Sequence, residues 1–133
     1  MATALIVEDN RSFRLSLREI LGTGFPGMVV TEAESSEEAL ETIESLRPDL
    51  MLVDIRLPGQ NGLELAKQVR KAHADVAIVI LTHYDLPEFR EVAYQYGVNY
   101  FFSKSTASME EILAAVQAIL RQKDQSGKKE EDA

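Results

Sequence analysis

Glu8 and Asp9 follow the apolar run Ala4-Leu5-Ile6-Val7, and Asp54 follows Leu50-Met51-Leu52-Val53. Thr82 closes the run Val76 to Leu81, and Lys104 comes two residues after the run Val98 to Phe102. Acids, a hydroxyl and an ammonium therefore stand where apolar stretches give way to turns. Two carboxylates about 4 Å apart repel by roughly 4 kcal/mol at an effective dielectric near 20. If Glu8, Asp9 and Asp54 converge, they raise one another's pKa or recruit a cation. Oxygen ligands without sulfur suit Mg²⁺, which pairs one or two carboxylates with water and phosphate oxygens. A carboxylate is also a competent nucleophile toward a phosphoryl group, and Lys104 and Thr82 would stabilise the phosphoryl oxygens of an aspartyl phosphate and its transition state.

Taken singly, each residue has a plainer account. An acidic pair after a strand is often a helix N-terminal charge favoured by the macrodipole. Asp54, ahead of Ile55-Arg56-Leu57-Pro58-Gly59, reads equally as a turn residue; Thr commonly ends strands, and most lysines are solvated. The joint placement of all of them at the ends of separate strands carries the inference.

The elements that must position these side chains are legible as short apolar runs alternating with helical patterns. Met28-Val29-Val30 supplies the remaining strand. Continuous rather than alternating apolarity fits strands covered on both faces of a parallel sheet. Phe13, Leu17, Ile20 and Leu21 share a helical face, as do Ala39, Leu40, Ile43 and Leu46; Leu63, Ala66 and Val69; and Phe89, Val92, Ala93 and Tyr96. The last stripe, Ile112, Leu113, Val116, Ile119 and Leu120, is the widest. Capping boxes are expected at Ser35 with Glu38, Asp85 with Glu88, and Ser108 with Glu111. Gly97 stands where a helix C-terminus calls for a left-handed residue. Five βα units imply an α/β fold, a five-stranded parallel sheet with helices on both faces. Ligands of such sheets bind outside the carboxyl ends of the strands, where the acids fall.

Composition narrows the function classes. The chain has 133 residues, 45% of them hydrophobic, enough for one self-sufficient domain. There is no cysteine, which excludes disulfides, thiolate metal sites and thiol nucleophiles. No apolar run nears the roughly 18 residues of a membrane span, and Met1-Ala2-Thr3-Ala4 lacks the basic region of a secretory signal. A soluble, cytoplasmic protein is expected. The net charge of -8 repels phosphates, so direct nucleic-acid binding by these residues is not expected. Gly22-Thr23-Gly24-Phe25-Pro26-Gly27 mimics a dinucleotide fingerprint, but it follows a helix, precedes a strand and includes Pro26 without an N–H, and so reads as a loop. A flavin module of similar architecture would need a phosphate loop where Glu8-Asp9-Asn10-Arg11 stands, and these acids would repel the phosphate. The charged segment 123–133, without periodicity, reads as a flexible tail or truncated linker, leaving the domain at 1–122.

The ordered set Leu5-Ile6-Val7-Glu8-Asp9-Asn10, Leu52-Val53-Asp54-Ile55-Arg56-Leu57-Pro58-Gly59 with Gly62, Ile80-Leu81-Thr82 and Phe101-Phe102-Ser103-Lys104 resembles the receiver domain of two-component response regulators, the CheY-like family, over about residues 3–122. The resemblance implies a doubly wound sheet of strand order 2-1-3-4-5. It implies that Asp54 accepts a phosphoryl group from a sensor histidine kinase or a phosphotransfer protein. Asp9 would be a direct Mg²⁺ ligand, Glu8 would act through a water, and Asp54 and the backbone carbonyl of Arg56 would complete the protein's share. Thr82 and Lys104 would contact the phosphoryl group, and Phe101 would be the switch aromatic, although a core phenylalanine accounts for it equally well. The fourth helix, fifth strand and fifth helix would form the responsive surface. A non-phosphorylated adaptor of the same fold would dispense with Asp54, Asp9 or Lys104, yet all are present. Apart from its own phosphorylation and dephosphorylation, such a domain is no enzyme. A phosphorylation-dependent homodimer and an output domain beyond the C-terminus fit the same resemblance; the Lys104-Ser105 pair and Gly59 to Leu65 resemble receivers joined to helix-turn-helix regulators.

Two positions depart from the family's pattern. Ser105 replaces the proline that follows the lysine through a cis bond, so a trans peptide or a strained loop is expected. His83 stands where a small residue is usual and, with Tyr84, is expected to screen the site from small phosphodonors; His83 as a metal ligand is the weaker reading.

Overall fold

The structure is a computed structural model that describes residues 2–132, with side chains placed through residue 125. Its elements alternate strictly: β1 (Thr3–Val7), α1 (Arg11–Gly24), β2 (Val29–Ala33), α2 (Ser36–Leu46), β3 (Leu50–Val53), α3 (Gly62–Ala72), β4 (Ala77–Thr82), α4 (Pro87–Gln95), β5 (Tyr100–Ser103) and α5 (Met109–Asp132). The five strands are all parallel and lie in the order β2-β1-β3-β4-β5. The (βα)5 doubly wound architecture expected from the sequence is the architecture found.

Side-chain alternation along each strand divides the interior into two layers. Leu5 and Val7, Met51 and Val53, and Ile78 and Ile80 face a core shared with Ala39 and Ile43 of α2, Leu65 and Val69 of α3, and Ala93 of α4. Ala4 and Ile6, Leu50 and Leu52, and Val79 and Leu81 face Leu17 and Leu21 of α1 and Ile112, Val116 and Ile119 of α5. Helices on both sides explain the unbroken apolar runs of β1, β3 and β4.

Several local expectations shift. β2 runs on through Thr31 and Glu32, polar residues permitted by its position at the sheet edge. Gly22, Thr23 and Gly24 belong to α1, so the loop expected there starts only at Phe25, whose N–H closes the helix on the Leu21 carbonyl at 2.8 Å. Leu46, assigned to the buried face of α2, is 47% exposed at its last turn. Ser35 and Ser108 cap their helices, accepting from the N–H groups of Glu38 and Glu111 at 3.2 and 3.1 Å. The expected box closes at Ser108, whose N–H donates to Glu111 at 3.4 Å, whereas Glu38 accepts the Glu34 N–H rather than that of Ser35. The Asp85–Glu88 box does not form: Leu86 is the N-cap, no side chain caps α4, and Pro87 opens the helix. Gly97 has φ 88°, and the Val98 N–H reaches back to the Ala93 carbonyl at 3.1 Å, a left-handed helix ending. Helix α5 is assigned through Asp132, so the segment from Lys123, expected as a tail, begins as its continuation; the side chains of 126–133 lie outside the described residues. Among the described residues no helix is long and apolar enough to cross a membrane.

Candidate functional site at the carboxyl edge of the sheet

Three candidate residues are each the first residue past a strand, and each is fixed there by the neighbouring strand. The Glu8 N–H donates to the Ala33 carbonyl at 3.0 Å, the Asp54 N–H to the Val7 carbonyl at 3.1 Å, and the Lys104 N–H to the Thr82 carbonyl at 2.8 Å. Parallel pairing thus continues one residue beyond the ladder and sets the backbone from which each side chain starts. After Asp54 the buried side chains of Ile55 and Leu57 anchor the loop. Helix α3 then packs close behind it: the Gly62 N–H donates to the Ile55 carbonyl at 2.7 Å, and a Cβ at position 62 would lie 2.0 Å from the Asp54 carbonyl oxygen.

Carboxylate oxygens of Glu8, Asp9 and Asp54 all lie within 4.8 Å of one another. Glu8 is 2% exposed and Asp54 9%, whereas Asp9 is open to solvent. Lys104 reaches this group: its Nζ lies 3.1 Å from Asp54 Oδ2, and it is also paired with Glu8 Oε1. The ammonium sits 4.1 Å from the centroid of the Phe13 ring, a cation–π contact that seats it from the α1 side. Burial pushes the Glu8 carboxyl up to about 7; the bond from Lys104 opposes the shift and the charge of Asp54 adds to it. The cleft, about 560 Å³, is bordered by Arg56, His83 and Tyr84.

Thr82 is fully buried, and its hydroxyl accepts the Tyr84 N–H at 3.2 Å. Phe101 is 4% exposed, packed in the layer that includes Ala93 of α4, with the Arg90 guanidinium 4.8 Å from its ring centroid. No cis peptide bond occurs among the described residues, so Lys104 and Ser105 are joined in trans, one of the two arrangements expected, and Lys104 still reaches Asp54.

The acids fit a hard divalent cation. Asp54 Oδ1 is buried and accepts no hydrogen bond from the described residues, a state that an ion or an incoming phosphoryl group would relieve. The three converging ligand atoms are all carboxylate oxygens, as Mg²⁺ prefers.

Sequence reasoning missed Arg14. This residue, 6% exposed, donates from Nη1 to the Glu8 carbonyl at 2.9 Å and from Nε to Glu32 at 2.9 Å, tying the acidic loop to β2. Its signal was present: it lies three and seven residues before Leu17 and Leu21, on their apolar stripe, where a charge needs a partner. Asn10 and Asn61 were missed as helix caps; their side chains accept the N–H groups of Phe13 and Glu64 at 3.0 and 2.9 Å.

A five-stranded doubly wound sheet with a lysine-bridged acidic cluster at its carboxyl edge defines the class of receiver-like signalling folds. The family model described as "Response regulator receiver domain" matches residues 4–117, and the chain belongs to that family. It is 38% identical over 117 residues to the response regulator MprA of Mycobacterium ulcerans, covering 88% of this chain and 49% of that protein. The chain thus spans about half the length of the curated relatives it matches. Among solved structures it is similar to the CheY-like response regulator receiver domain protein of Methanospirillum hungatei, with a TM-score of 0.87, 25% identity and coverage of 95% and 98% of the two chains. It is also similar to a LuxR-family two-component response regulator from Aurantimonas, with a TM-score of 0.83, 27% identity and coverage of 92% and 86%.

Proposed function

We propose that Asp54 is the phosphoacceptor of this receiver domain, that Glu8, Asp9, Asp54 and the backbone carbonyl of Arg56 hold Mg²⁺, and that a histidine kinase or phosphotransfer protein is the donor. The observation that carries the reading is the convergence of the three carboxylates within 4.8 Å, with Lys104 Nζ 3.1 Å from Asp54. An Asp54 carboxylate oxygen forms the new O–P bond as the P–N bond of a phosphoimidazole breaks; the imidazole nitrogen keeps that electron pair and takes a proton from water. Bound Mg²⁺ supplies neutralising charge for the phosphoryl oxygens. Lys104 adds a positive charge beside Asp54 and Glu8, and the Thr82 hydroxyl, which accepts the Tyr84 N–H, has its own proton to donate to a phosphoryl oxygen.

Beyond its own phosphorylation and dephosphorylation, the domain turns over no substrate. Its output passes to a partner: a second receiver, or an output domain of the kind that the longer relatives leave room for. Cytoplasmic placement follows from the proposed donor. Intact mass after incubation with phosphoramidate and Mg²⁺ tests the assignment. The wild type is expected to gain one phosphoryl group, and neither Asp54→Ala nor metal-free protein should. Equal labelling of Asp54→Ala would refute it.

A further inference from the structure

His83 and Ser105, the two residues that depart from the receiver pattern, stand one position beyond Thr82 and Lys104 and meet each other. His83 Nδ1 lies 3.3 Å from Ser105 Oγ. The register of β4 and β5 sets Thr82 beside Ser103, and the buried Ser103 hydroxyl lies at the centre of a ladder between the two loops. It donates to Asp85 Oδ2 at 3.0 Å and accepts the Ser105 N–H at 3.2 Å. Asp85 is turned back toward it by its own N–H, which donates to the His83 carbonyl at 3.1 Å. On the other side, the Ser103 carbonyl accepts from Thr106 and Ala107 at 3.3 and 2.9 Å, closing a tight turn around Lys104.

We propose that Ser103 and Asp85, reinforced by the His83–Ser105 contact, are positioning residues that strap the Lys104 loop to the loop after Thr82; the proposal rests on the phosphoacceptor reading of the cleft. A lysine carries its charge on a flexible four-carbon stem, so its aim depends on where its backbone is held. The Lys104 N–H bond to Thr82 fixes one side of that backbone, and the strap fixes the other. Without it the turn, though still closed on itself, can drift as a unit relative to the loop after Thr82, while the carboxylates, held at the ends of β1 and β3, stay in place. A misplacement of about 1 Å can cost on the order of a hundredfold in rate. The strap also joins the two loops that would respond to a phosphoryl group, so that they move as one.

Phosphoramidate labelling of Asp54, followed by intact mass at saturating Mg²⁺ alongside calorimetric Mg²⁺ titration, tests this. Ser103→Ala and Asp85→Ala are expected to label about tenfold more slowly while Mg²⁺ affinity stays within about twofold. Asp85→Asn keeps an acceptor oxygen and Ser103→Thr a hydroxyl, so both should restore most of the rate. In a Lys104→Ala background, Ser103→Ala should add no further loss, because the strap acts through that lysine. Asp85 is exposed, so its variants carry the test should Ser103→Ala fail to fold. Wild-type rates in both alanine variants, or a full additional loss without Lys104, would overturn the strap alone. An unlabelled wild type would overturn the phosphoacceptor reading, and the strap with it.

Discussion

Glu8 is the most deeply buried acid of the cleft and stands beside a second one, and the pairing with Lys104 offsets the cost of that burial. Asp54 is held by a different constraint, the closeness of α3. Its carbonyl occupies the space that any side chain at position 62 would need, 2.0 Å from a Cβ. Gly62→Ala must therefore push α3 away from the Asp54 loop. Overpacking of this kind costs typically 1–3 kcal/mol, and contact with backbone, which cannot rotate aside, puts the expected loss at about 3 kcal/mol. Gly22 offers an internal control. It lies within α1 with nothing inside 4 Å of an added Cβ, so Gly22→Ala should stabilise by roughly 0.5–1 kcal/mol through helix propensity. Urea unfolding of the two variants should shift in opposite directions. A neutral Gly62→Ala would show that the α3 N-terminus does not fix the Asp54 loop.

At the scale of elements, α1 and the edge strand β2 are joined by Arg14 and Arg18 on Glu32. Burial would raise the Glu32 carboxyl, but the bonds and charges of Arg18 and Arg14 outweigh it and hold the group below its usual range. A depressed folded-state pKa contributes stability above the ordinary carboxylate pKa, and that contribution fades as pH falls through the lowered value. Glu32→Gln should therefore cost about 1 kcal/mol at pH 7. It should cost much less near pH 2, where wild-type Glu32 is also protonated. Urea midpoints at the two pH values check this, and a pH-independent difference would assign the effect to packing. The same strand shows what the sequence hides. Apolar runs announced β1, β3 and β4 because helices cover both of their faces, whereas β2 alternates into Thr31 and Glu32, whose pairing with α1 no local pattern reveals. The order of strands was legible only through family resemblance, since periodicity does not say which strands are neighbours. The Asp85–Glu88 box failed for a related reason: the Asp85 carboxylate serves Ser103, 18 residues away, instead of its own helix. The acids at the strand ends were legible because polarity interrupts the runs there. Arg14 escaped because its partners, Glu8, Glu32 and Glu34, come from the carboxyl ends of β1 and β2.

For the whole molecule, the question is how a charge gained at one edge of the sheet reaches a surface on α4. The chain carries a net charge of -8, and a phosphoryl group of about -1.5 to -2 on Asp54 would replace a carboxylate of -1, a net gain of about one negative charge at most. Screening over roughly 8–10 Å weakens such a field across solvent, which leaves the packed contacts between the cleft and α4 to carry a change to that surface. A route is in place. Thr82 holds the Tyr84 N–H, and the Tyr84 ring packs edge-on against Phe89 of α4 at 6.2 Å. Arg90, one residue on, lies over Phe101 and donates to its carbonyl at 3.2 Å. Leu86 and Tyr94, 54% and 48% exposed, lie on the surface of the α4 region. If the Thr82 hydroxyl turns to an anion on Asp54, Tyr84 loses its anchor and the Phe89–Arg90–Phe101 contacts rearrange with it. Beryllofluoride with Mg²⁺ should then shift the Tyr84 amide resonance and those across residues 86–120, with Arg90 and Phe101 among the most affected, and Asp54→Asn should abolish the response. Thr82→Ala, which binds the same anion without a hydroxyl to move, should confine the shifts to the cleft loops. An equally wide response in Thr82→Ala would remove Thr82 from the route and leave the β5–α5 turn, tethered through Lys104, as the path to α4.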